Sequence, residues 1–533
     1  MYKNLNNFLI NEKVFYFLLL CFASITALFY YYAIDQRAVT SGLILTDQIN
    51  YTDKLNFYNL TNQNSWIVTF HLVELLINAG FSLNFLNFFI LFIFLYMNAI
   101  GIFLISKSLT KDNIFAFCIS CIVIFANINL GSLDYPVLLI SEHTNGMGGQ
   151  AAATLVFGLV AHKKVNAAIL FSIITIAFHI VIAAWLISIL FLSIYIFEDK
   201  KKFLLNFFNK KNIIYLILIF LVLLLSFIKF QNNRIAIPFE YNHLLYTTFI
   251  EMWDHHRSYA FGINYKYIFL TILMLLMSFY SMKDKRNIKN NDLFFKIVFL
   301  QVLMSFILYF LYKVAPNLFQ GIFLKVIPTR FFLIHSVFGA VIIISILYLY
   351  LKDLIKVTYI SKLVFKFIFL IILVHPIIYY DKYFSKLENV YANRILGIKK
   401  DDYSFWNKVK KIDIKEGVLL TSAHSCQNTL QNAKKPILLC IEAFDNVSYT
   451  PAYAESLKNI LEKIYEIDFF NPPEKNRGGL NDITYKKTFE KRSVIDWVKI
   501  SNEFNIKGLI LPIEWNLQLD KSIIGKRYIF YKL

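Results

Sequence analysis

Glycine and proline are scarce, 17 and 10 in 533 residues. That is too few for a collagen-like or low-complexity chain, and it leaves long stretches free of the residues that break helices. Cysteine occurs only five times, which excludes a small disulfide scaffold. Charged residues make up 17% of the chain, below the roughly 25% of soluble domains, so neither a disordered chain nor a single soluble domain fits. What fills the sequence is apolar: 57% of the residues, 54 Phe among them. The excess falls in blocks of about 20 residues, the length a helix needs to cross roughly 30 Å of hydrocarbon. The fold class is therefore an α-helical polytopic membrane protein.

Residues 14–33 form the first block, after Lys3 and Lys13, and lack a small-x-small cleavage site before Asp35. They read as an anchor helix rather than a signal peptide. Further blocks run over 82–106, 113–130, 150–162, 213–230, 263–282, 293–313, 328–351 and 363–380. The apolar stretch 165–197 is too long for one ordinary span and divides near His179 into two. The total is about eleven spans.

The formal charge of +19 would suggest nucleic acid on a soluble surface, but its distribution points elsewhere. Lys107, Lys111, Lys163, Lys164, the run Lys200 to Lys202 with Lys210 and Lys211, then Lys283, Lys285, Arg286, Lys289, Lys352, Lys356 and Lys362 all fall in loops on the side of the N-terminus. Loops 34–81, 131–149, 231–262 and 314–327 are sparse in Lys and Arg. The asymmetry marks a cytoplasmic N-terminus and an inner-membrane protein; no nucleic-acid partner is expected. An odd span count places residues 381–533 outside the cytoplasm.

Two domains follow: residues 1–380, transmembrane with interfacial helices, and residues 381–533. In the second, short apolar runs at 417–421, 436–440, 507–511 and 527–531 alternate with helical patterns at 453–465 and 493–504, the grammar of a small extracytoplasmic α/β domain. Residues 470–479 read as a loop. Cys426 and Cys440 share this domain; a disulfide in an oxidising compartment and a pair of free buried thiols are both open.

Polar groups beside a membrane are costly, so their placement is informative. The first outer loop carries Asp35, Arg37, Asp47 and Asp53; the second carries Asp134, Tyr135, Glu142, His143 and Asn145 before a Gly-rich helix entry; the third carries Glu240, His243, Glu251, Asp254, His255, His256 and Arg257. In the third, His243, Thr247, Glu251, Asp254 and Ser258 recur at helical steps while Leu245, Phe249 and Trp253 take the other face. This predicts an amphipathic helix lying in the interface. Asp35, Asp47, Asp254, His143 and His256 are candidate acid–base groups, and Arg257 and Arg330 candidate phosphate ligands. Tyr135, His179 and Glu251 are candidates for structural or site roles. No motif demands a cofactor. A divalent metal is compatible with the acids and imidazoles, though their spacing matches no known ligand motif.

An anchor helix, an acidic first outer loop, about eleven spans, a later interfacial helix and an extracytoplasmic C-terminal domain together resemble the type C glycosyltransferase superfamily, which uses polyprenyl-phosphate-linked sugars. The resemblance implies that Asp35 or Asp47 acts as base and that Arg257 or Arg330 clamps the lipid phosphate. Asp35-Gln36-Arg37 matches the paired-acid pattern of that superfamily only in part. Tyr135-Pro136, His143-Thr144-Asn145-Gly146, Phe178-His179, Trp253-Asp254-His255-His256-Arg257 and Pro328-Thr329-Arg330 also resemble the motifs of a bacterial group of polytopic proteins without assigned biochemistry, over most of residues 40–340.

The expected function is a membrane transferase, glycosyltransferase-like, acting on a polyprenyl-phosphate-linked donor at the outer face, with membrane lipid and that carrier as partners. A lipid or glycolipid flippase is the competing class, and it requires polar groups near the midplane and Gly- or Pro-broken helices in matching halves. A non-catalytic envelope assembly protein is the third. The four residues Asp47, His143, Asp254 and Arg330 are expected around one cavity at the outer boundary.

Overall fold

The computed structural model describes residues 11–31, 36–130, 139–140, 145–254, 265–283, 292–315, 318, 331–354, 369, 398–414, 416–423, 425–476 and 479–533. Among them five helices are long and apolar enough to cross a membrane: α1 (Glu12–Tyr30), α5 (Leu83–Thr110), α9 (Ile180–Phe197), α11 (Lys210–Asn233) and α14 (Asp292–Val314). Shorter apolar helices fill the gaps, including α4 (Val68–Asn78), α6 (Asn113–Phe125), α7 (Asn145–Ala161), α8 (Val165–Ile174), α13 (Tyr265–Lys283) and α15 (Ser336–Leu354). The block at 363–380 lies outside the described residues.

Helix α5 is the central post. It starts at Ser82, whose side chain accepts from the Phe85 amide, and ends at Lys111 in the left-handed conformation. Its neighbour α7 crosses where two glycines meet: a Cβ on Gly101 would stand 2.5 Å from the Thr154 carbonyl oxygen, and one on Gly158 would stand 2.7 Å from that of Gly101. Close backbone approach through small residues is how helices pack without a hydrophobic drive between them. On another face, Ser345 of α15 donates to Ser106 at 3.2 Å, while Tyr348 stacks on Phe115.

The apolar stretch 165–197 is broken as expected. Helix α8 tightens into a 3₁₀ turn at Thr175–Ala177, and α9 begins after His179. The His179 ring caps α9, its Nδ1 accepting from the Ile182 amide at 3.3 Å. This satisfies one of the amides that every helix start leaves bare.

Residues 36–81, expected as the first outer loop, are largely helical: α2 (Arg37–Leu45), α3 (Phe57–Gln63) and α4. Helix α2 packs on α4 through Gly42, where a Cβ would meet the Val73 side chain at 2.6 Å. Nearly all of α2 is buried, because the C-terminal domain covers its other side.

That domain carries a four-stranded mixed sheet in the order β1-β2-β4-β3, with β1 Val418–Thr421, β2 Ile506–Pro512, β3 Lys521–Ile524 and β4 Tyr528–Lys532. Strands β1 and β2 are parallel; β2/β4 and β4/β3 are antiparallel. Parallel neighbours need a crossover, and β1 reaches β2 through the helices α17 (Tyr453–Lys463), α18 (Asp482–Lys491) and α19 (Val494–Phe504). A capping box between Ser493 and Asp496 starts α19. The expected strand at 436–440 is reduced to a single bridge from Ile437 to Leu419. Cys426 and Cys440 form a disulfide.

One hydrophobic core joins this domain to the first outer loop. It runs without interruption from Val39, Leu43, Tyr51 and Leu60 through Phe249 and Trp253 to Leu419, Leu439 and Ile510. Polar ties reinforce it. Tyr51 donates to the Ile437 carbonyl at 3.0 Å and accepts from the Ile437 amide at 3.1 Å. Gln431 donates to the Gln36 carbonyl and to Thr40, and accepts from Asn87 of α5 at 3.0 Å.

Candidate functional site

Where the first outer loop, the α8–α9 break and the C-terminal domain meet, the chain leaves a cavity of about 220 Å³. Its lining is divided. Arg37, Thr61, Asn64, Asp445, Asn446 and Thr450 make a polar end, and Trp66, Ile67, Ile176, Ala177, Phe178 and Ile180 make an apolar one. His179, Tyr449 and Tyr453 stand among them. The apolar residues come from the α8–α9 break and the start of α4, and the polar ones from α2, α3 and the C-terminal domain.

The centre of the polar end is an ion pair between elements 408 residues apart. Arg37 Nη1 lies 3.1 Å from Asp445 Oδ2, and Nη2 donates to the Glu442 carbonyl at 2.6 Å. Burial opposes the charge on Arg37, but Asp445 and Glu442 outweigh it and keep the guanidinium protonated. Burial pushes the Glu442 carboxyl above its ordinary range, with Arg37 working against it. Tyr453 is also held protonated: burial raises its phenol to about 12, opposed by the bond from Asn64 and the charge of Arg234. It therefore serves as a hydrogen-bonding strut, donating to the Leu60 carbonyl and accepting from Asn64.

A second, smaller cavity of about 150 Å³ adjoins the first at Asp445 and is lined also by Phe249, Trp253, Asp254, Ile441, Glu442 and Phe444. Three acidic residues, Asp254, Glu442 and Asp445, thus stand in its lining. Asp254 is 5% exposed and accepts a hydrogen bond from Ser448.

The third outer loop departs from expectation here. A helix α12 (His243–Thr248) passes into a π turn at Phe249–Trp253, closed by a bond from the Asp254 amide to the Phe249 carbonyl. The wider turn takes Glu251 and Asp254 off a common face: Glu251 stays exposed and Asp254 goes inside. The apolar face of the segment is covered by protein. Leu245, Phe249, Ile250 and Trp253 are buried in the core shared with the C-terminal domain; the Trp253 indole donates to the Phe469 carbonyl at 2.8 Å, and Tyr246 donates to that of Ser448. The pattern marks amphipathicity correctly, but the burying surface is protein.

Of the sequence candidates, His179 lines the larger cavity and Asp254 the smaller. Asp47 occupies a surface turn at φ 53° and pairs with Lys54 at 2.9 Å; it lines neither cavity. Asp35, Tyr135, His143, His256, Arg257 and Arg330 lie outside the described residues. Nothing in the sequence singles out Asp445, Glu442, Asn64 and Asn446, which have no motif and no periodic neighbour, and Arg37 stands there only as one charge among several in its loop.

Cys426, Cys440 and Glu442 lie within metal-ligand reach of one another among the described residues, but both sulfurs are taken up by the disulfide. The trio is therefore a bridge beside a half-buried carboxyl rather than a metal centre. Comparison of the chain with protein-family models and with curated proteins finds no match.

Proposed function

We propose that the chain is a multi-pass membrane transferase that moves a sugar, or a related group, from a polyprenyl-phosphate carrier to an acceptor hydroxyl on the outer face of the inner membrane. The observation that carries this reading is the divided cavity, apolar toward the spans and polar toward the C-terminal domain. A lipid-linked donor has the same division, a prenyl tail joined to a phosphate and a sugar. The two ends also open differently. Ile180, at the start of a span, is 52% exposed, and Tyr449, on the C-terminal domain, is 37% exposed. A lipid enters by the first mouth and a water-borne acceptor by the second.

In this reading Asp445 accepts the proton of the acceptor hydroxyl as its oxygen bonds to the anomeric carbon and the bond to the phosphate breaks. Arg37 holds the carboxylate ionised and aimed. His179, with Nδ1 accepting from the Ile182 amide, carries the proton of its neutral ring on Nε2 and donates it as a hydrogen bond to the departing phosphate. Asp254 belongs to the wall of the neighbouring cavity.

The topology belongs to the same proposal: about eleven spans, a cytoplasmic N-terminus and an extracytoplasmic C-terminal domain. The Lys and Arg asymmetry supports it, and so does the disulfide, since such bonds persist in oxidising compartments. Mass spectrometry of lipid retained by the purified protein tests the reading. A polyprenyl phosphate or its glycosylated form is expected; phospholipid alone, after growth in cells rich in the carrier, sinks it.

A further inference from the structure

Helices α5 and α7 end side by side, tied by Ser108, whose hydroxyl donates to the Ala161 carbonyl. Each end closes on a lysine in the left-handed conformation, Lys111 at φ 56° and Lys163 at φ 62°. The Lys111 amide donates to the Lys107 carbonyl, and the Lys163 and Lys164 amides to those of Val160 and Leu159. Glycine is the usual residue at such a closure, because a Cβ is strained there. Two adjacent closures that keep lysine instead bring two amino groups to one end of the bundle.

Other charges gather at the same end. Glu12, at the start of α1, pairs with Lys107 and lies 3.7 Å from His162 Nε2. Asp112 caps α6 by accepting from the Phe115 amide at 2.9 Å, and its other oxygen accepts from Tyr348 of α15 at 3.3 Å. The Lys352 ammonium lies 5.8 Å from the centre of that Tyr348 ring. Lys111 turns one donor to the Ser108 carbonyl at 2.6 Å, and Lys163 and Lys164 are exposed. Among the described residues five lysines therefore stand with two acids, and both acids are already engaged.

The crowding is felt electrostatically. Partial burial and the charge of Lys163 lower the Lys111 amino group, and burial with the charges of Lys107, Lys164 and Lys111 lowers the His162 imidazole. Helix dipoles favour a lysine at each of these C-termini, but they do not call for cations dense enough to weaken one another. An anion among them removes that repulsion. The same elements also offer hydrocarbon to the surroundings, for Phe17 of α1 and Ile114 of α6 are exposed. A ligand with a phosphate at one end and acyl chains at the other matches this succession of surfaces; a free phosphate matches only its first part.

We propose that the adjoining ends of α5 and α7, with Lys111, Lys163 and Lys164 as donors, bind the phosphodiester headgroup of an anionic phospholipid. Helix α5 bonds the C-terminal domain through Asn87 near its start and reaches this patch at its far end, so the site stands apart from the larger cavity and does not depend on the transferase reading. In the topology proposed above it faces the cytoplasm.

The test uses the full chain in nanodiscs, with lysine acylation by a water-soluble succinimidyl ester followed peptide by peptide in the mass spectrometer. Only a neutral amine is acylated, so a bound phosphate slows the reaction both by shielding the lysines and by keeping them protonated. Lys210 and Lys211, exposed at the start of α11, report the general effect of a charged membrane surface. Replacing a minor fraction of phosphatidylcholine by phosphatidylglycerol should slow acylation of Lys111, Lys163 and Lys164 by about fivefold more than that of Lys210 and Lys211. Equal slowing of the two groups overturns the site, since surface potential alone then accounts for it. Inorganic phosphate that protects equally well in pure phosphatidylcholine overturns the lipid as occupant and leaves an anion site. In Lys163→Asn with Lys164→Gln, which keeps a residue tolerant of the left-handed turn, the extra protection of Lys111 should vanish, and its persistence overturns the part assigned to the two lysines. The comparison of lysines within the parent decides on its own if that variant does not accumulate.

Discussion

The ion pair that bridges the first outer loop and the C-terminal domain should respond unequally to loss of its two partners. The Arg37 side chain is 7% exposed and that of Asp445 is 34% exposed. Asp445→Asn leaves a guanidinium deep in the interface with the Glu442 carbonyl as its nearby acceptor. Stranding one member of a buried pair costs about 3–5 kcal/mol. Arg37→Gln leaves instead a carboxylate that already reaches the cavity, where water takes over much of the lost interaction. An exposed pair is worth about 0–1 kcal/mol, and the lost bond from the charged guanidinium to Glu442 adds about 1.5–3 kcal/mol. The variants should therefore rank with Asp445→Asn the more damaging, by about 1–2 kcal/mol on these figures. The double variant Arg37→Gln with Asp445→Asn strands no charge and should cost less than Asp445→Asn alone. Reversible unfolding in mixed detergent, followed by exposure of the C-terminal domain to protease, measures all three. Additive costs, or a greater loss from Arg37→Gln, would refute the placement of Arg37 as the buried partner.

Four shorter tests address other parts of the chain. Gly101→Val should lower the midpoint of thermal unfolding in detergent, because its Cβ meets the Thr154 backbone at 2.5 Å and overpacking costs about 1–3 kcal/mol; an unchanged midpoint would mean that α5 and α7 do not cross there. Cys426→Ser should destabilise the C-terminal domain by about 3 kcal/mol, the loop-closure value for a short loop, and in the parent both cysteines should resist alkylation under denaturing conditions until a reductant is added. Burial raises the Glu74 carboxyl, but the hydrogen bonds and charges of His71 and Lys229 outweigh it and hold the group below its ordinary value. Its contribution is thus complete above the ordinary carboxylate range and fades only as pH falls through the depressed value, so the protection of the amides of residues 222–233 against hydrogen exchange, taken relative to their intrinsic rates at each pH, should stay flat from neutral pH down to about 5, and a loss of protection already near neutrality contradicts the pair. Reporter fusions at the C-terminus should be active only outside the cytoplasm; activity inside would reverse the sidedness of every outer loop.

Much of the membrane domain is legible because hydropathy acts locally. A span must bury about 20 consecutive residues, so α1, α5, α9, α11 and α14 announce themselves, and the break at His179 shows as an apolar stretch too long for one helix. The C-terminal elements are legible for a similar reason: β1, β2 and β4 are short apolar runs. Strand β3, Lys521–Ile524, is exposed along most of its length, and so carries no apolar alternation to read. The run at 436–440 has the composition of a strand but spends its backbone otherwise, with the Ile437 amide and carbonyl both bound to the Tyr51 hydroxyl.

The site is less legible because its determinants are not local. Arg37 and Asp445 acquire meaning only when α2 is covered by the C-terminal domain, and neither has a periodic neighbour that marks it as buried. Asp254 shows the other difficulty. Counting in steps of three and four from His243 places it beside Glu251 on a solvated stripe, and that counting holds only while each turn closes after four residues. A single wider turn at Phe249–Trp253 shifts the register by one residue. The carboxylate then enters the protein, where Ser448 binds it. Such turns are rare and concentrate at functional sites. The step at which the periodic reading fails therefore coincides with the wall of the smaller cavity, where Asp254 stands with Glu442 and Asp445.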